Sequence, residues 1–286
     1  MKKKLVKYIF GLLIIILVAI WAEIAKSPKD NGLKIYFFDV AQGDATLVSK
    51  GDYQILIDGG PSSDVLSGVG EVMPPRDREI EAVVLTHPHA DHLVGLNQIL
   101  ERYNVKQIYL SGVLHTSNQY LEFLQKIKDS GISSEVPQIN QQFVPFEGAV
   151  FEFLWPGDKY RNKEVDNLNN SSLVTKFCYL EQCALFMGDL ETDAQAEMFM
   201  GNSLTDYSAQ ILKISHHGST NGTNQTLLEK VRPKYTVISV GADNKYGHPH
   251  NATLKLIEQF GVSILRTDRD GTIIFELSEA TIIVNK

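Results

Sequence analysis

The placement of histidine constrains this chain more than any other feature of its sequence. Of eight histidines in 286 residues, seven fall in three short clusters: His87, His89 and His92; His216 and His217; His248 and His250. The first cluster, Thr86-His87-Pro88-His89-Ala90-Asp91-His92, follows directly on the apolar run Ala82 to Leu85. A strand ending there delivers four ligand-type side chains within six residues, enough for parts of two metal sites. Crowded behind a buried strand, such groups are costly to desolvate unless a cation binds them.

The same arrangement recurs along the chain. Leu185-Phe186-Met187 runs into Gly188-Asp189, Ile211 to Ile214 into Ser215-His216-His217-Gly218-Ser219, and the apolar run 236–240 is followed by Tyr246-Gly247-His248-Pro249-His250. A Gly-Asp pair alone is only a turn signal. Four apolar strands that each end in metal-type residues describe one site at one edge of a sheet. Asp189 has two oxygens with which to bridge two cations. Short strands are expected at 33–41, 53–57, 82–86, 107–110, 150–154, 173–177, 184–187, 211–214, 236–240, 264–266, 272–276 and 281–284, with helices at 94–102, 119–129, 192–200, 225–231 and 252–260. That alternation predicts an α/β sandwich, with 157–170 as its long polar loop.

Charge divides the chain in two. The net charge is −7, but six lysines and only Glu23 and Asp30 lie in the first 30 residues; removing that +4 leaves −11 on the remainder. A body so acidic has no global attraction for nucleic acid, and a polyanion must be drawn to a local positive feature such as bound metal. The lysine-rich start is followed by Tyr8 to Ala22, fifteen residues without a charge, which reads as a membrane anchor or a signal segment over residues 1–30. Trp21 suits an interface position. An uncleaved anchor is favoured, because no small-residue cleavage pattern stands cleanly after the apolar run. Lysines on the near side send residues 31–286, read as one domain, out of the cytoplasm, anchored in the cell membrane or secreted if the segment is cleaved. Cys178 and Cys183 flank a four-residue stretch between two apolar strands. A two-residue loop at Leu180-Glu181 sets them opposite each other, where a disulfide is one reading and two small apolar residues on a hairpin face the other.

Taken together, His-x-His-x-Asp-His at 87–92, strand-Gly-Asp at 188–189 and Ser-His-His-Gly at 215–218 resemble the metallo-β-lactamase superfamily. The resemblance is closer still to the extracytoplasmic hydrolase domain of ComEC-type DNA-internalisation competence proteins. It is carried by Phe38-Asp-Val-Ala-Gln-Gly-Asp-Ala45, Leu56-Ile-Asp-Gly-Gly60, Asn170-Ser-Ser-Leu-Val174 and Tyr246-Gly-His-Pro-His250, and covers about residues 33 to 280. It implies a four-layered αβ/βα sandwich with two divalent ions, zinc or manganese, between the sheets. It also implies His87 and His89 on the first ion, Asp91 and His92 on the second, Asp189 bridging, and His216 completing the second site, with His217 as the alternative. Many members supply a further histidine where this chain has Asn169-Asn170-Ser171-Ser172, which leaves the first ion short of a ligand; His115 is the one unclustered substitute. The competence proteins also carry a multi-span channel region, so with one candidate span this chain is not expected to be a channel.

The chemistry expected of two ions is hydrolysis by a metal-bridged hydroxide. Asp91 would orient the nucleophile, and His217, His248 or His250 would donate a proton or bind a phosphate oxygen. Asp39, Gln42, Asp58, Asn170 and Ser172 are expected to hold the loops rather than to bind metal. The leading expectation is an extracytoplasmic phosphodiesterase or nuclease acting on a phosphodiester such as DNA. The alternatives are a hydrolase of a cell-wall phosphoester or other ester, and a metal-binding module without turnover.

Overall fold

Strand residues in this chain are apolar on both faces, and the computed structural model gives the reason: each main strand packs against two different cores. The structure describes residues 2–26, 32–201 and 204–286, with side chains of the first stretch described over 6–18. Residues 1–31 and Gly32–Lys286 are separate units.

In the second unit, β1 (Leu33–Phe37), β2 (Thr46–Lys50), β3 (Tyr53–Ile57), β4 (Glu79–Leu85), β5 (Asn104–Leu110) and β6 (Ser133–Glu135) form most of one sheet. The other contains β7 (Gln142–Phe143), β8 (Ala149–Trp155), β9 (Val174–Tyr179), β10 (Gln182–Phe186), β11 (Ile211–Lys213), β12 (Tyr235–Ile238) and β13 (Ser263–Arg266). The last two strands, β14 (Ile273–Leu277) and β15 (Ile282–Asn285), return to the first sheet, whose order is β15-β14-β1-β2-β3-β4-β5-β6; the second runs β13-β12-β11-β10-β9-β8-β7. Ala82, Val84, Ala184, Phe186 and Ile211 meet between the sheets. Their strand neighbours point the other way. Val83 and Leu85 pack under the helices of the first sheet, and Leu185 and Leu212 under those of the second. The helices α2 (Asp64–Val72), α3 (Ala90–Arg102) and α4 (Asn118–Ser130) cover one face; α5 (Thr192–Gly201), α6 (Gln225–Val231) and α7 (Asn251–Gln259) cover the other, and α8 (Thr267–Asp270) is a single turn. The result is the expected α/β two-sheet architecture of four layers.

Several boundaries differ from expectation. β1 stops at Phe37 rather than residue 41, because the chain turns over 38–45 with Ala41 in a left-handed conformation (φ 61°). β2 and α2 are additional; α2 carries Gly68 and Gly70 and buries only Val65 and Val69, too sparse a pattern to read as helix. α3 begins at Ala90, not Val94, after an extended His89, so Asp91 and His92 belong to its first turn. The stretch 157–170 contains two short 3-10 turns, Gly157–Tyr160 and Leu168–Ser171. Cys178 faces Cys183 across β9 and β10, with Cα atoms 4.1 Å apart and the sulfurs bonded.

In the first unit, α1 spans Lys2–Lys26 and exposes Ile9, Phe10, Leu13 and Leu17. Among the described residues no helix is long and apolar enough to cross a membrane. The anchor expected over Tyr8 to Ala22, with Trp21 at its end, lies partly outside the described side chains.

Candidate metal centre

The ligand-type side chains leave the ends of parallel strands and converge. His87 follows β4; its Nδ1 meets the hydroxyls of Thr86 (3.1 Å) and Ser172 (3.3 Å), which turns Nε2 toward His89 Nδ1 (2.8 Å) and Asp189 Oδ2 (3.8 Å). Asp189 follows β10 through Gly188, and its backbone N–H donates to Ser172 Oγ (3.1 Å). The same Asp189 Oδ2 lies 3.3 Å from His92 Nε2 and 3.5 Å from His217 Nε2. His217 Nε2 is also 3.3 Å from Asp91 Oδ2. Two donor sets that share no residue result, His87, His89 and Asp189 in one and Asp91, His92 and His217 in the other, and Asp44, His92 and Asp189 form a third that overlaps both; each has its donor atoms within 4.8 Å of one another. Asp189 Oδ2 reaches toward both.

Of the two neighbouring histidines expected as alternatives for the second set, His217 lies within it and His216 does not. His216 and His217 sit in consecutive left-handed conformations (φ 50°, ψ 48° and φ 52°, ψ 26°), a turn that non-glycine residues adopt at a cost of about 1 to 3 kcal/mol each. This turn drives His217 inward and points His216 Nδ1 at Glu191 Oε1, 3.6 Å away. His115 is not a substitute first ligand; its Nδ1 accepts from Ser117 N–H (3.1 Å), and it belongs to none of the donor sets among the described residues.

Behind the ligands stand the groups that aim them. Asp58, buried, accepts from Thr86 N–H (2.8 Å) and Thr86 Oγ1 (2.7 Å) and holds His92 Nδ1 at 2.8 Å, leaving Nε2 for the centre. His217 Nδ1 lies 2.9 Å from the carbonyl oxygen of Ser239 and 3.3 Å from Asp44 Oδ1. Asp44 is in turn paired with the fully buried Lys213 ammonium (2.7 Å), which also donates to the carbonyl of Ile214 (2.9 Å). Close approach is enforced by glycine: a Cβ at Gly43 would stand 2.3 Å from the carbonyl oxygen of Asp91, and one at Gly95 of α3 would stand 1.9 Å from that of Gly59.

Burial and charge separate the histidines into two kinds. Burial, then the neighbouring His92, holds His87 well below its ordinary value, and burial also lowers His89. For His92 and His217 burial acts in the same direction but loses to carboxylates: Asp189 and Asp58 raise His92, and Asp189 and Asp44 raise His217, well above the usual imidazole range. Asp189 and Asp91 are opposed by burial, yet the adjacent imidazoles hold both carboxyls well below the ordinary carboxylate value. Two observations test whether this centre fits divalent ions. His92 Nε2, His217 Nε2 and Asp189 Oδ1 are buried without a hydrogen-bond partner. The distances from His92 Nε2 to Asp189 Oδ2, and from His217 Nε2 to Asp91 Oδ2 and Asp189 Oδ2, are 3.3 to 3.5 Å and match the roughly 3.4 Å edge of a tetrahedron whose metal–ligand bonds are about 2.0–2.1 Å. The residues fit the ions.

The remaining expected residues lie as follows. Asp39 is exposed and accepts from Ala41 N–H, Gln42 Oε1 accepts from Gly241 N–H (3.3 Å), and Asn170 bridges Glu191 N–H and the Asp193 carboxylate. His248 packs beside the centre, its ring 6.4 Å from that of His217, and burial pushes it down to about 4, so it is neutral near pH 7. His250, at the start of α7, accepts on Nδ1 from Thr220 N–H and belongs to none of the donor sets among the described residues. Asp44, Lys213 and Glu191 were not singled out as site residues. A lysine inside the apolar strand Ile211 to Ile214 was the signal, since a buried charge requires a partner.

Comparison with known proteins agrees with this geometry. The family model described as the Metallo-beta-lactamase superfamily matches residues 38–242. ComE operon protein 3 of Bacillus subtilis is 28% identical over 196 residues, covering 68% of this chain and 24% of that protein. Competence protein ComA of Neisseria gonorrhoeae is 26% identical over 260 residues, covering 88% of this chain and 33% of its own length. The chain thus spans a quarter to a third of these curated relatives. Among solved structures, the metallo-beta-lactamase fold protein YhfI of Bacillus subtilis superposes with a TM-score of 0.56 at 15% identity, over 86% of this chain and all of that one. Zn(2+)-bound PqqB of Methylobacterium extorquens gives 0.51 at 15% identity, over 82% and 88%. By the family match, and with the donor sets in place, this chain belongs to the metallo-β-lactamase superfamily.

Proposed function

We propose that this protein is a dinuclear metal-dependent phosphodiesterase, with a nuclease activity on DNA as its leading form, held at the outer face of the cell membrane by its N-terminal helix. The observation that carries the reading is the position of Asp189 Oδ2 between His87, His92 and His217, at 3.8, 3.3 and 3.5 Å. When bound, two divalent ions, zinc or manganese, supply an acidified water and neutralise charge on a phosphoryl group. The chain's own residues hold that chemistry in place. Asp58 fixes His92, and Ser239 with Asp44 fixes His217, so that each presents Nε2. Asp91, held as a carboxylate, faces His217 and the cleft. His248, neutral near pH 7, is suited to donate a hydrogen bond to a phosphate oxygen rather than to carry a positive charge to it. The likeness to competence proteins supports a DNA substrate.

A second reading, hydrolysis of a cell-wall phosphoester, is favoured by one observation: the −11 charge of the body, which does not attract a long polyanion. The test is cleavage of linear DNA by the full chain with added manganese or zinc, beside an Asp189→Ala variant prepared identically. Cutting by the wild type with a loss of about a hundredfold or more in the variant is expected. An intact substrate with metal-loaded wild type sends the search to cell-wall phosphoesters.

A further inference from the structure

A run of stacked rings leads from the metal centre to solvent. His92 and His217 lie 5.4 Å apart between ring centroids; His248 stacks on His217 at 6.4 Å with 28° between planes, and Tyr246 stacks on His248 at 5.7 Å and 24°. Tyr246 is 53% exposed, an unusual place for a large ring with no core to fill. The loop that presents it is built to be stiff. Asn244 Oδ1 accepts from the N–H groups of Tyr246 (3.2 Å) and His248 (3.0 Å), and its amide donates to the carbonyls of Gly241 (2.8 Å) and His248 (2.7 Å). Beside Tyr246, Gly247 faces open space. Lys245 adds an ammonium 5.3 Å from the tyrosine ring.

We propose that Tyr246, backed by His248, is a stacking platform for an unpaired nucleobase of a single-stranded polynucleotide that threads a phosphodiester, a few nucleotides further along the strand, into the metal centre. The inference rests on the nuclease reading and narrows its substrate. Its physical basis is the −11 charge of the body. An acidic body gains little from the phosphate backbone, whereas every base offers a π-face, and stacking is tolerant of sequence. The next ring step beyond Tyr246 continues the spacing of about 6 Å already set by His217, His248 and Tyr246. Paired bases do not offer a free face, so the platform selects unpaired strands.

The experiment compares steady-state cleavage of oligothymidylate and of an abasic strand of equal length by the manganese-loaded full chain and its Tyr246→Ala and Tyr246→Phe variants. Wild type and Tyr246→Phe are expected to prefer the base-bearing strand. In Tyr246→Ala that preference falls about tenfold, within the roughly 5- to 150-fold that one base stack is worth, and the loss lies in KM rather than kcat. A Tyr246→Trp variant adds a second readout, since its added fluorescence is quenched by oligothymidylate and not by the abasic strand. An equal preference in wild type and Tyr246→Ala overturns the platform while leaving the nuclease standing. Equal use of both strands by wild type overturns it as well and points to a sugar-phosphate polymer. A wild type that cuts neither strand removes the nuclease reading, and the platform with it.

Discussion

At the centre, four imidazoles of one residue type are held in two protonation states. His87 and His89 are kept neutral by burial, whereas His92 and His217 are held protonated by the carboxylates of Asp189, Asp58 and Asp44. A metal ion must displace protons from the second pair, whereas on the first it replaces the hydrogen bond between His87 Nε2 and His89 Nδ1. In metal-free protein the raised pair contributes stability that is full below about pH 6.5, the unfolded value, and fades as pH rises through the higher folded value. Metal binding at the second set therefore tightens as pH rises over the same window. Calorimetric titration at pH 7 in buffers of different ionisation enthalpy is expected to show greater proton release for the ion at the second set than for the ion at the first. The histidines themselves are plain in the sequence. The choice of His217 over His216 is not, because it depends on two left-handed residues that leave no local signal, and Asp44 stands among turn residues, where only its pairing with Lys213 in the folded chain marks it.

Among the elements, those that carry the centre were legible where an apolar run ended in a polar group, as at β4, β10 and β11. β2 was not recognised although Thr46 to Val48 are buried, and α2 was missed because Gly68 and Gly70 dilute its pattern. The start of α3 was placed four residues late; Pro88 marks the boundary, and Asp91 in the first turn faces the positive end of the helix. The hairpin β9–β10 was read with its register, Tyr179 opposite Gln182 and Cys178 opposite Cys183. That disulfide closes a loop with a sequence separation of only 5, so it removes little freedom from the unfolded chain, about 2 kcal/mol. Replacing both cysteines with serine is expected to lower thermal stability by a few degrees, read by calorimetry, while metal content stays the same, since the pair lies at the hairpin end of β10 and Asp189 beyond its opposite end.

For the whole molecule, the donors come from both sheets: His87, His89, Asp91 and His92 from the first, Asp189 and His217 from the second. Each ion would tie the two halves together as well as serve chemistry. Chelation is therefore expected to lower the unfolding temperature of the whole domain, not of one loop, by an amount set by linkage: about 4 kcal/mol if metal had been present at a thousand times its dissociation constant. A single cooperative transition that moves with metal concentration is the outcome to look for in calorimetry. The layered fold was readable because doubly apolar strands alternate with amphipathic helices, a pattern that admits few architectures. What no local pattern carried was the return of β14 and β15 to the first sheet, where Ile273 to Phe37 and Leu277 to Leu33 are partners. This has a consequence in time. A ribosome makes Leu33–Phe37 long before Ile273–Leu277, so one edge of β1 waits, bare and hydrophobic, while the whole second sheet is synthesised, and the first sheet closes only when β14 follows it.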